Sequence, residues 1–345
     1  MSSHSNDDPA LETLFLPIRQ KLFPWPHDGA LFLRARSGAS LRADDLPGLV
    51  CEQTFKPDAD ALERAGFHLN SGEHRRYPLV LLLPPRQREE ARALLARAVD
   101  SITASGHVIV CQANNEGARS TEKDLERLAG PLDTLTKHHC RVFWTGPLNG
   151  PVDHALAEEW RSLDAPRRIA DGRFLSRPGI FAWDRIDAAS ALLAAHLPAN
   201  LAGDAADLGA GFGYLSAELL ARCPRIRSLD LYEAESRALD LARENLSTAT
   251  VPVGCHWHDV TTGLPRKYDV IVTNPPFHAS THHDRPDIGR RFIAIAAQSL
   301  KPGGRLWLVA NRHLPYESVL DARFGSVRTV TQSGGFKIIE GTRAA

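Results

Sequence analysis

The sequence predicts an α/β protein built from two consecutive domains, and three observations lead to this prediction. At 345 residues the chain is too long for one typical domain. In its second half, short apolar runs typical of strands alternate with helical patterns, which favours a mostly parallel sheet. The first half contains segments that match segments of the second. We therefore expect two sheets of related design.

Most of the recognisable elements lie in the second half. A helix from Asp187 to His196 is expected to cover the functional cleft, and a turn at Lys301-Pro-Gly-Gly304 is expected to precede a strand. Between them we predict strands at 204–207, 228–232, 254–258 and 268–273, and helices at 214–222 and 234–246. At the end, the β-rich runs 326–330 and 336–339 flank a Gly-Gly turn, which predicts an antiparallel hairpin.

The internal repeat concerns two pairs of segments. Residues 76–85 (RYPLVLLLPP) align with residues 267–276 (KYDVIVTNPP), and residues 106–114 echo residues 304–311. The copies differ where chemistry is expected, because Leu83 stands in place of Asn274 and Arg86 in place of Phe277. The first copy therefore predicts a duplicated fold without a cofactor site, and an unrelated α/β domain is the alternative.

The domain boundary is predicted from turn residues at 146–166, which enclose a short helical run from Val152 to Leu163. We place the first domain at residues 1–165 and the second at residues 166–345.

A glycine-rich turn follows the first predicted strand of the second domain. Its pattern is Asp207-x-Gly209-x-Gly211-x-Gly213, and glycine permits positive φ and close approach of a ligand. Glu233 ends the next strand about 20 residues later, where an acid can bind a ribose diol. The leading acid would repel a pyrophosphate but can support a cationic amino-acid group, so S-adenosylmethionine fits better than a dinucleotide.

A third acid, Asp259, follows the strand at 254–258. Its carboxylate could accept a hydrogen bond from the adenine amine, and a solvated turn residue or a helix cap is the alternative. Three acids in order at strand ends favour a cofactor site at one edge of the sheet.

The tetrapeptide Asn274-Pro275-Pro276-Phe277 ends an apolar strand and carries the chemistry. The Asn274 side-chain oxygen and the Pro275 carbonyl can both accept from an NH2 group, and Phe277 offers a stacking face. Proline fixes the backbone and removes competing donors. The pattern predicts a holder for a planar amine and methylation of its nitrogen, although Asn-Pro and Pro-Pro also occur in ordinary turns.

With these residues in hand, the chain from about Arg173 onward resembles a class I S-adenosylmethionine-dependent methyltransferase. The resemblance is closest to the bacterial ribosomal RNA guanine-N2 methyltransferases, the small-subunit enzyme especially. The similar segments are Phe181–Asp187, Asp207–Gly213, Asn274–His278, Val309–Asn311, Leu314–Tyr316 and the tail Gly335–Glu340.

The resemblance implies two tandem Rossmann-like methyltransferase domains. The N-terminal one would be degenerate and would bind RNA or support its neighbour. The C-terminal one would have a seven-stranded, mostly parallel sheet that ends in an antiparallel hairpin. The cofactor would be S-adenosyl-L-methionine, held by Ala210, Ala234, Val260 and Asn274 in addition to Asp207, Gly209, Gly211, Gly213, Glu233 and Asp259.

The implied reaction is methyl transfer to the exocyclic N2 amine of a guanine in 16S ribosomal RNA. Asn274, Pro275 and Phe277 would be catalytic, while Pro276, Phe277 and His278 would bind the substrate. The alternatives are guanine-N2 methylation of 23S ribosomal RNA and N-methylation of a protein glutamine or DNA adenine. Phe rather than Tyr at 277 and the N-terminal repeat weigh against the last two. A non-catalytic RNA-binding protein would be expected to lose some of these residues.

Cysteine usage predicts a reducing compartment, whereas the net charge does not indicate a nucleic-acid partner, and a solvated face is the more usual meaning of arginine-rich runs. The five cysteines are widely spaced and form no C-x-x-C pair. Net charge is zero, but arginines cluster at 161–177 and at 285–291, which could form a basic patch. His256-x-His258-Asp259 and residues 281–284 lack the spacing of a zinc site, so no metal is expected. No signal or membrane segment is recognised, and we expect a cytoplasmic monomer that acts on ribosomal RNA or the small subunit.

Overall fold

The computed structural model describes residues 8–42, 44–70, 72, 74–148, 152–276 and 286–345. The chain divides into two compact units, Met1–Ala165 and Pro166–Ala345. Each has its own sheet and its own buried core.

The first unit is a seven-stranded sheet of order β3-β2-β1-β4-β5-β7-β6. Strands β1 to β5 pair in parallel, and β6 and β7 form an antiparallel hairpin at one edge. Its strands are β1 (Ala30–Leu33), β2 (Leu49–Glu52), β3 (His68–Leu69), β4 (Tyr77–Leu82), β5 (Ile102–Ala113), β6 (Leu132–Lys137) and β7 (Cys140–Thr145). Its helices are α1 (Pro9–Leu14), α2 (Leu16–Arg19), α3 (Ala39–Arg42), α4 (Lys56–Arg64), α5 (Arg88–Asp100), α6 (Ala118–Ala129) and α7 (His154–Ser162), with a 3-10 turn at Asn114–Glu116.

The second unit begins with a short antiparallel pair, β8 (Arg167–Ile169) and β9 (Phe174–Ser176). Its main sheet contains β10 (Ala202–Leu208), β11 (Arg225–Glu233), β12 (Val253–Trp257), β13 (Tyr268–Thr273), β14 (Leu300–Asn311), β15 (Ser326–Ser333) and β16 (Phe336–Thr342). The helices are α8 (Ala188–His196), α9 (Tyr214–Arg222), α10 (Ser236–Asn245), α11 (Pro286–Ser299) and α12 (Glu317–Asp321), with a 3-10 turn at Val260–Thr262.

The second sheet has the order β12-β11-β10-β13-β14-β16-β15, which is the order of the first sheet element for element. Its first five strands in space are parallel, and β15 and β16 form the antiparallel hairpin. The repeat seen in the sequence corresponds to β4 and β13 and to β5 and β14, which occupy the same places in their sheets. The predicted fold class is therefore confirmed.

Both faces of the second sheet are covered, which explains its continuous apolar strands. Along β14, Leu306 and Leu308 enter one buried cluster while Trp307 and Val309 enter the other. This alternation is the strand period of two. Since β10 to β13 are parallel, the residues that follow them meet at one edge of the sheet.

Most predicted boundaries differ from the observed ones by one to three residues, and two differences have a clear physical cause. Residues 301–304 do not precede β14 but lie within it, as an irregularity between the pairs Tyr268–Leu300 and Val270–Arg305. Gly303, at φ +72°, lets the strand absorb the extra residues. Helix α10 begins at Ser236 rather than Ala234, because Glu235 is its N-cap and accepts from the Arg237 amide.

Within the described residues, no helix combines the length and the apolar character that crossing a bilayer requires.

Two glycines of the first unit allow a matched test of its packing. Gly29 and Gly66 both have positive φ, +79° and +85°. A Cβ at Gly29 would lie 2.1 Å from the Gly48 carbonyl oxygen, whereas one at Gly66 would meet nothing within 4 Å. We expect Gly29→Ala to lower the free energy of unfolding by about 1–3 kcal/mol more than Gly66→Ala. Urea unfolding of both full-length variants, followed by circular dichroism, measures the difference. Equal losses would show that the backbone contact is unimportant.

Candidate functional site

The glycine turn joins β10 to α9 through backbone conformations that favour glycine. Gly209, Gly211 and Gly213 have φ of +73°, +55° and +88°. Gly213 is the N-cap of α9, and a Cβ there would lie 3.2 Å from the Cβ of Ala242 on α10. A Cβ at Gly211 would meet nothing within 4 Å. The turn is therefore packed against the protein at Gly213 and open at Gly211, where a ligand can approach the backbone.

Glu233, at the end of β11, holds this turn in place. Its Oε2 accepts from the Gly211 amide at 2.7 Å, and its Oε1 accepts from the Glu235 amide at 2.8 Å. Desolvation raises the pKa of Glu233, and these backbone hydrogen bonds oppose the rise. Each carboxylate oxygen has a further lone pair, so the predicted contact with a ribose diol is still possible.

Asp207 lies one strand away and is buried, with 1% of its surface exposed. Its Oδ2 accepts from the Ser216 hydroxyl at 2.8 Å. Desolvation raises the pKa of Asp207 to about 7, and the nearby charge of Glu233 adds to the rise while the Ser216 bond opposes it. A cation placed beside this carboxyl would favour its ionised form.

Asn274, which follows β13, has a satisfied nitrogen and an unsatisfied oxygen. Its Nδ2 donates to Asp187 Oδ2 at 3.0 Å and to Ser190 Oγ at 2.9 Å. Its Oδ1 is buried and has no hydrogen-bond partner among the described residues. A buried acceptor left unpaired costs about 1–3 kcal/mol, so this atom indicates a place for a ligand donor.

These groups meet in one cleft. The sequence-predicted residues that line it are Asp207, Gly209, Ala210, Gly211 and Asn274, joined by Phe181, Ala182, Asp187, Ser190, Phe212, Tyr214 and Leu215. Ser190 was missed by the sequence analysis, and its only signal is its position three residues after the helix-capping Asp187. The combination of an open glycine turn, a buried acid and an unpaired acceptor fits S-adenosylmethionine.

Other predicted residues lie outside this lining. Glu233, Ala234, Val260, Pro275 and Pro276 do not contribute to it. Phe277, His278 and residues 281–284 fall outside the described residues.

Asp259 acts as a cap in this structure. Its Oδ1 accepts from the Thr261 amide at 2.9 Å and the Thr261 hydroxyl at 2.7 Å. This arrangement is the alternative that the sequence left open for Asp259.

The two histidines before Asp259 have protein partners. His256 Nε2 lies 3.2 Å from Asp230 Oδ1, and His258 Nε2 lies 2.6 Å from the Gly263 carbonyl oxygen. They border a wider depression of about 550 Å³, which contains none of the predicted site residues. In the part of the chain that the structure describes, no three metal-binding side chains come together.

The arginine clusters are partly neutralised. Arg173 pairs with Glu218 at 2.7 Å, and Arg290 pairs with Asp287 at 3.2 Å. Arg291 donates to the Thr261 carbonyl oxygen at 2.9 Å. Glu218 is buried, whereas the pair of Arg290 with Asp287 is exposed and contributes little to stability.

Strand register shows what replaces the site residues in the first unit. Phe32 pairs with Leu81 as Asp207 pairs with Val272, so a buried phenylalanine takes the place of the acid. By the same register Gln53 takes the place of Glu233. Its Oε1 accepts from the Phe55 amide at 2.9 Å, as Glu233 accepts from Glu235. The first unit thus retains the strand framework, but it lacks the carboxylates of Asp207 and Glu233.

The chain resembles known methyltransferases. A model of the methyltransferase small domain matches residues 171–340. The small-subunit ribosomal RNA methyltransferase C of Pseudomonas aeruginosa strain LESB58 is 32% identical over 76% of this chain and 79% of its own length. The protein of the same name from Photorhabdus laumondii is 29% identical over 86% of this chain and 80% of its own length.

Among solved structures, the T. thermophilus 16S rRNA N2 G1207 methyltransferase (RsmC), in complex with AdoMet and guanosine, superposes with a TM-score of 0.79. The match covers 99% of this chain and 93% of that one at 23% identity, so it shows a common fold through both units. Together with the identity to the Pseudomonas protein, this means that the chain belongs to the family of ribosomal RNA small subunit methyltransferase C.

Proposed function

We propose that this protein transfers a methyl group from S-adenosylmethionine to the exocyclic N2 amine of a guanine in 16S ribosomal RNA. The proposal rests on the buried, unpaired Asn274 Oδ1 in the cleft beside the glycine turn. Family membership supports the same reaction, since the relatives are named as small-subunit ribosomal RNA methyltransferases.

An amine donor suits this acceptor. The desolvation cost of the unpaired Oδ1 disappears when an N–H group donates to it. The lone pair of an exocyclic amine is conjugated with the ring and is a poor nucleophile. Two acceptors, Asn274 Oδ1 and the Pro275 carbonyl, would orient the NH2 group and turn that lone pair toward the methyl donor. Catalysis then comes mainly from positioning, and no strong base is required.

The cofactor would be held at the adjoining strand ends. Gly209 and Gly211 would admit it to the backbone, while Gly213 lets α9 pack against α10. Asp207 would stabilise its positive charge and Glu233 would accept from its ribose. Asp259, whose Oδ1 caps the turn at Thr261, would accept from the adenine amine with its other carboxylate oxygen. Ala210, Ala234 and Val260 would contribute backbone and apolar contacts. When bound, S-adenosylmethionine supplies a methyl group on a positively charged sulfur, which a nitrogen lone pair can displace.

The substrate base needs a flat apolar surface on which to stack, and its amine must be able to reach the cleft. Phe181, which is 68% exposed at the cleft, offers one such face. Phe277 would stack on the base, with Pro276 and His278 beside it, and such stacking is worth about 1–3 kcal/mol per base. A paired guanine is out of reach, so the nucleotide must be unpaired or flipped out of its helix.

The first unit, residues 1–165, is proposed to be a degenerate copy that binds RNA or supports residues 166–345. Phe32, Gln53 and Leu83 stand at the positions of Asp207, Glu233 and Asn274, and the loss of both carboxylates and of the Asn274 amide supports the interpretation as a degenerate copy. Ribosomal RNA as substrate places the reaction in the cytoplasm, and the chemistry proposed here needs no metal.

The reaction is tested directly by incubating the protein with labelled S-adenosylmethionine and unmodified ribosomal RNA or subunits, followed by nucleoside mass spectrometry. We expect N2-methylguanosine in small-subunit RNA. The same nucleoside in large-subunit RNA would keep the chemistry and change the target. Cofactor binding without any labelled RNA would reject the proposal and favour a protein or DNA acceptor.

Replacing Asn274 separates catalysis from cofactor binding. Asn274→Ala removes the acceptor for the substrate amine, so kcat should fall about 10²- to 10³-fold. The dissociation constant for S-adenosylmethionine, measured by calorimetry, should change little. Asn200→Ala removes an exposed asparagine of the same unit and should leave both quantities unchanged. Equal losses of rate and cofactor affinity in the Asn274 variant would mean that Asn274 serves the cofactor alone.

Replacing Asp207 tests the buried acid through the pH dependence of stability. The folded pKa, about 7, lies above the ordinary value of 3.8. The protonated form is therefore favoured in the folded state, and its contribution to stability is lost as pH rises from about 4 to about 7.

We expect the free energy of unfolding of Asp207→Asn to fall less over this pH range than that of the unaltered protein. Urea titrations of the ligand-free proteins at pH 4.5, 5.5, 6.5 and 7.5 provide the measurement. Glu233 and Asp58, whose pKa values are also raised by desolvation, contribute to the decline in both proteins. Parallel curves for the two proteins would contradict the raised pKa of Asp207.

A further inference from the structure

The orientation of the Asn274 carboxamide decides whether it can act. Its oxygen and its nitrogen have almost the same shape, but only the oxygen accepts a hydrogen bond. If the group rotated by half a turn, the NH2 would face the substrate amine, and two donors would oppose each other. The site therefore needs a device that fixes the orientation.

Two acceptors on the first turn of α8 provide it. The Asn274 Nδ2 donates to Asp187 Oδ2 at 3.0 Å and to Ser190 Oγ at 2.9 Å, which uses both of its hydrogens. In the rotated orientation Asn274 Oδ1 would face the Asp187 carboxylate, which has no hydrogen to donate while ionised. The Asp187 carboxylate thus favours one orientation and penalises the other, and the Ser190 hydroxyl, which can donate or accept, adds a second bond to the favoured one.

The acceptors are themselves held in place. Asp187 Oδ2 also accepts from the Ser190 amide at 2.8 Å and so caps α8. Ala189, Leu193 and Ala194 of the same helix are buried in the core beneath the cleft. A short capped helix thus presents Asp187 and Ser190 to Asn274 from a fixed base.

We propose that Asp187 and Ser190 are positioning residues that lock the Asn274 carboxamide with its oxygen toward the substrate amine. The proposal rests on the proposed function of Asn274 as the acceptor for that amine. They act on the reaction through Asn274, so their main effect is on the chemical step, and cofactor affinity is measured separately because both residues also line the cleft.

The test exploits the helix cap. Asparagine and serine are both good N-cap residues, but only asparagine reaches as far as aspartate. In Asp187→Asn, the side-chain oxygen can still accept from both the Ser190 amide and Asn274 Nδ2. In Asp187→Ser, the hydroxyl can still cap the helix but is too short to reach Asn274. Ser190→Ala removes the second acceptor and leaves the capping amide in place.

We expect kcat to fall about 10- to 100-fold in Asp187→Ser and further in Asp187→Ser/Ser190→Ala. Asp187→Asn should stay within a few-fold of the unaltered protein, and in the other two variants kcat should fall by a larger factor than KM for S-adenosylmethionine rises. If residue 187 serves only as a helix cap, the Asn and Ser variants will have equal rates, and the proposal fails.

A second readout does not depend on activity. In full-length protein labelled with ¹⁵N-asparagine, the Asn274 side-chain signal is assigned by its loss in Asn274→Ala. Because both hydrogens are bonded, we expect slow exchange with solvent in the unaltered protein and fast exchange in Asp187→Ser/Ser190→Ala. Equally fast exchange in both would overturn the proposal. Slow exchange without methylation of any ribosomal RNA would instead reject the proposed function and retain the orientation lock.

Discussion

The parallel pairing of β10 with β11 on one side and β13 on the other is the constraint on which the site depends. Asp207 pairs with Leu231 and with Val272 in the same register of the sheet. Parallel strands end at a common edge, so the glycine turn, Glu233 and Asn274 are brought together although they are far apart in sequence. A one-residue slip of β13 would turn its side chains to the opposite face and remove the apolar packing that fixes the site.

Backbone groups do much of the organising at this edge. The Gly211 amide donates to Glu233, and Gly213 brings α9 close to α10. The side chains with raised pKa, Asp207 and Glu233, are kept near each other by this framework at a cost to the free enzyme. In the proposed site a positively charged cofactor would relieve that cost, and the stability of the turn would then be coupled to cofactor binding.

Much of this arrangement could be predicted from local sequence. The strand at 268–273, the helix that starts at Asp187 and the terminal hairpin each have a clear period and recognisable end signals, and the structure confirms them. The contact between Ser190 and Asn274 could not be predicted, because it joins residues 84 positions apart through tertiary packing. Residues 301–304 form an irregular part of a strand where the sequence predicts a turn, because glycine is common both in turns and in strand irregularities. The sequence allows Asp259 either to contact the adenine amine or to cap a turn, and only the three-dimensional arrangement reveals the capping bonds.

The substitution of Phe32 and Gln53 for acids in the first unit has a consequence for the chain as a whole. Two frameworks of the same strand order are present in one polypeptide, one with buried carboxylates at its strand ends and one with an aromatic ring and a neutral amide. The first unit, residues 1–165, serves as an internal reference for the second unit, residues 166–345. Hydrogen exchange in a single sample gives the free energy of local opening of each strand. The difference between matching strands of the two units is the loss of local stability that accompanies the carboxylates at the strand ends.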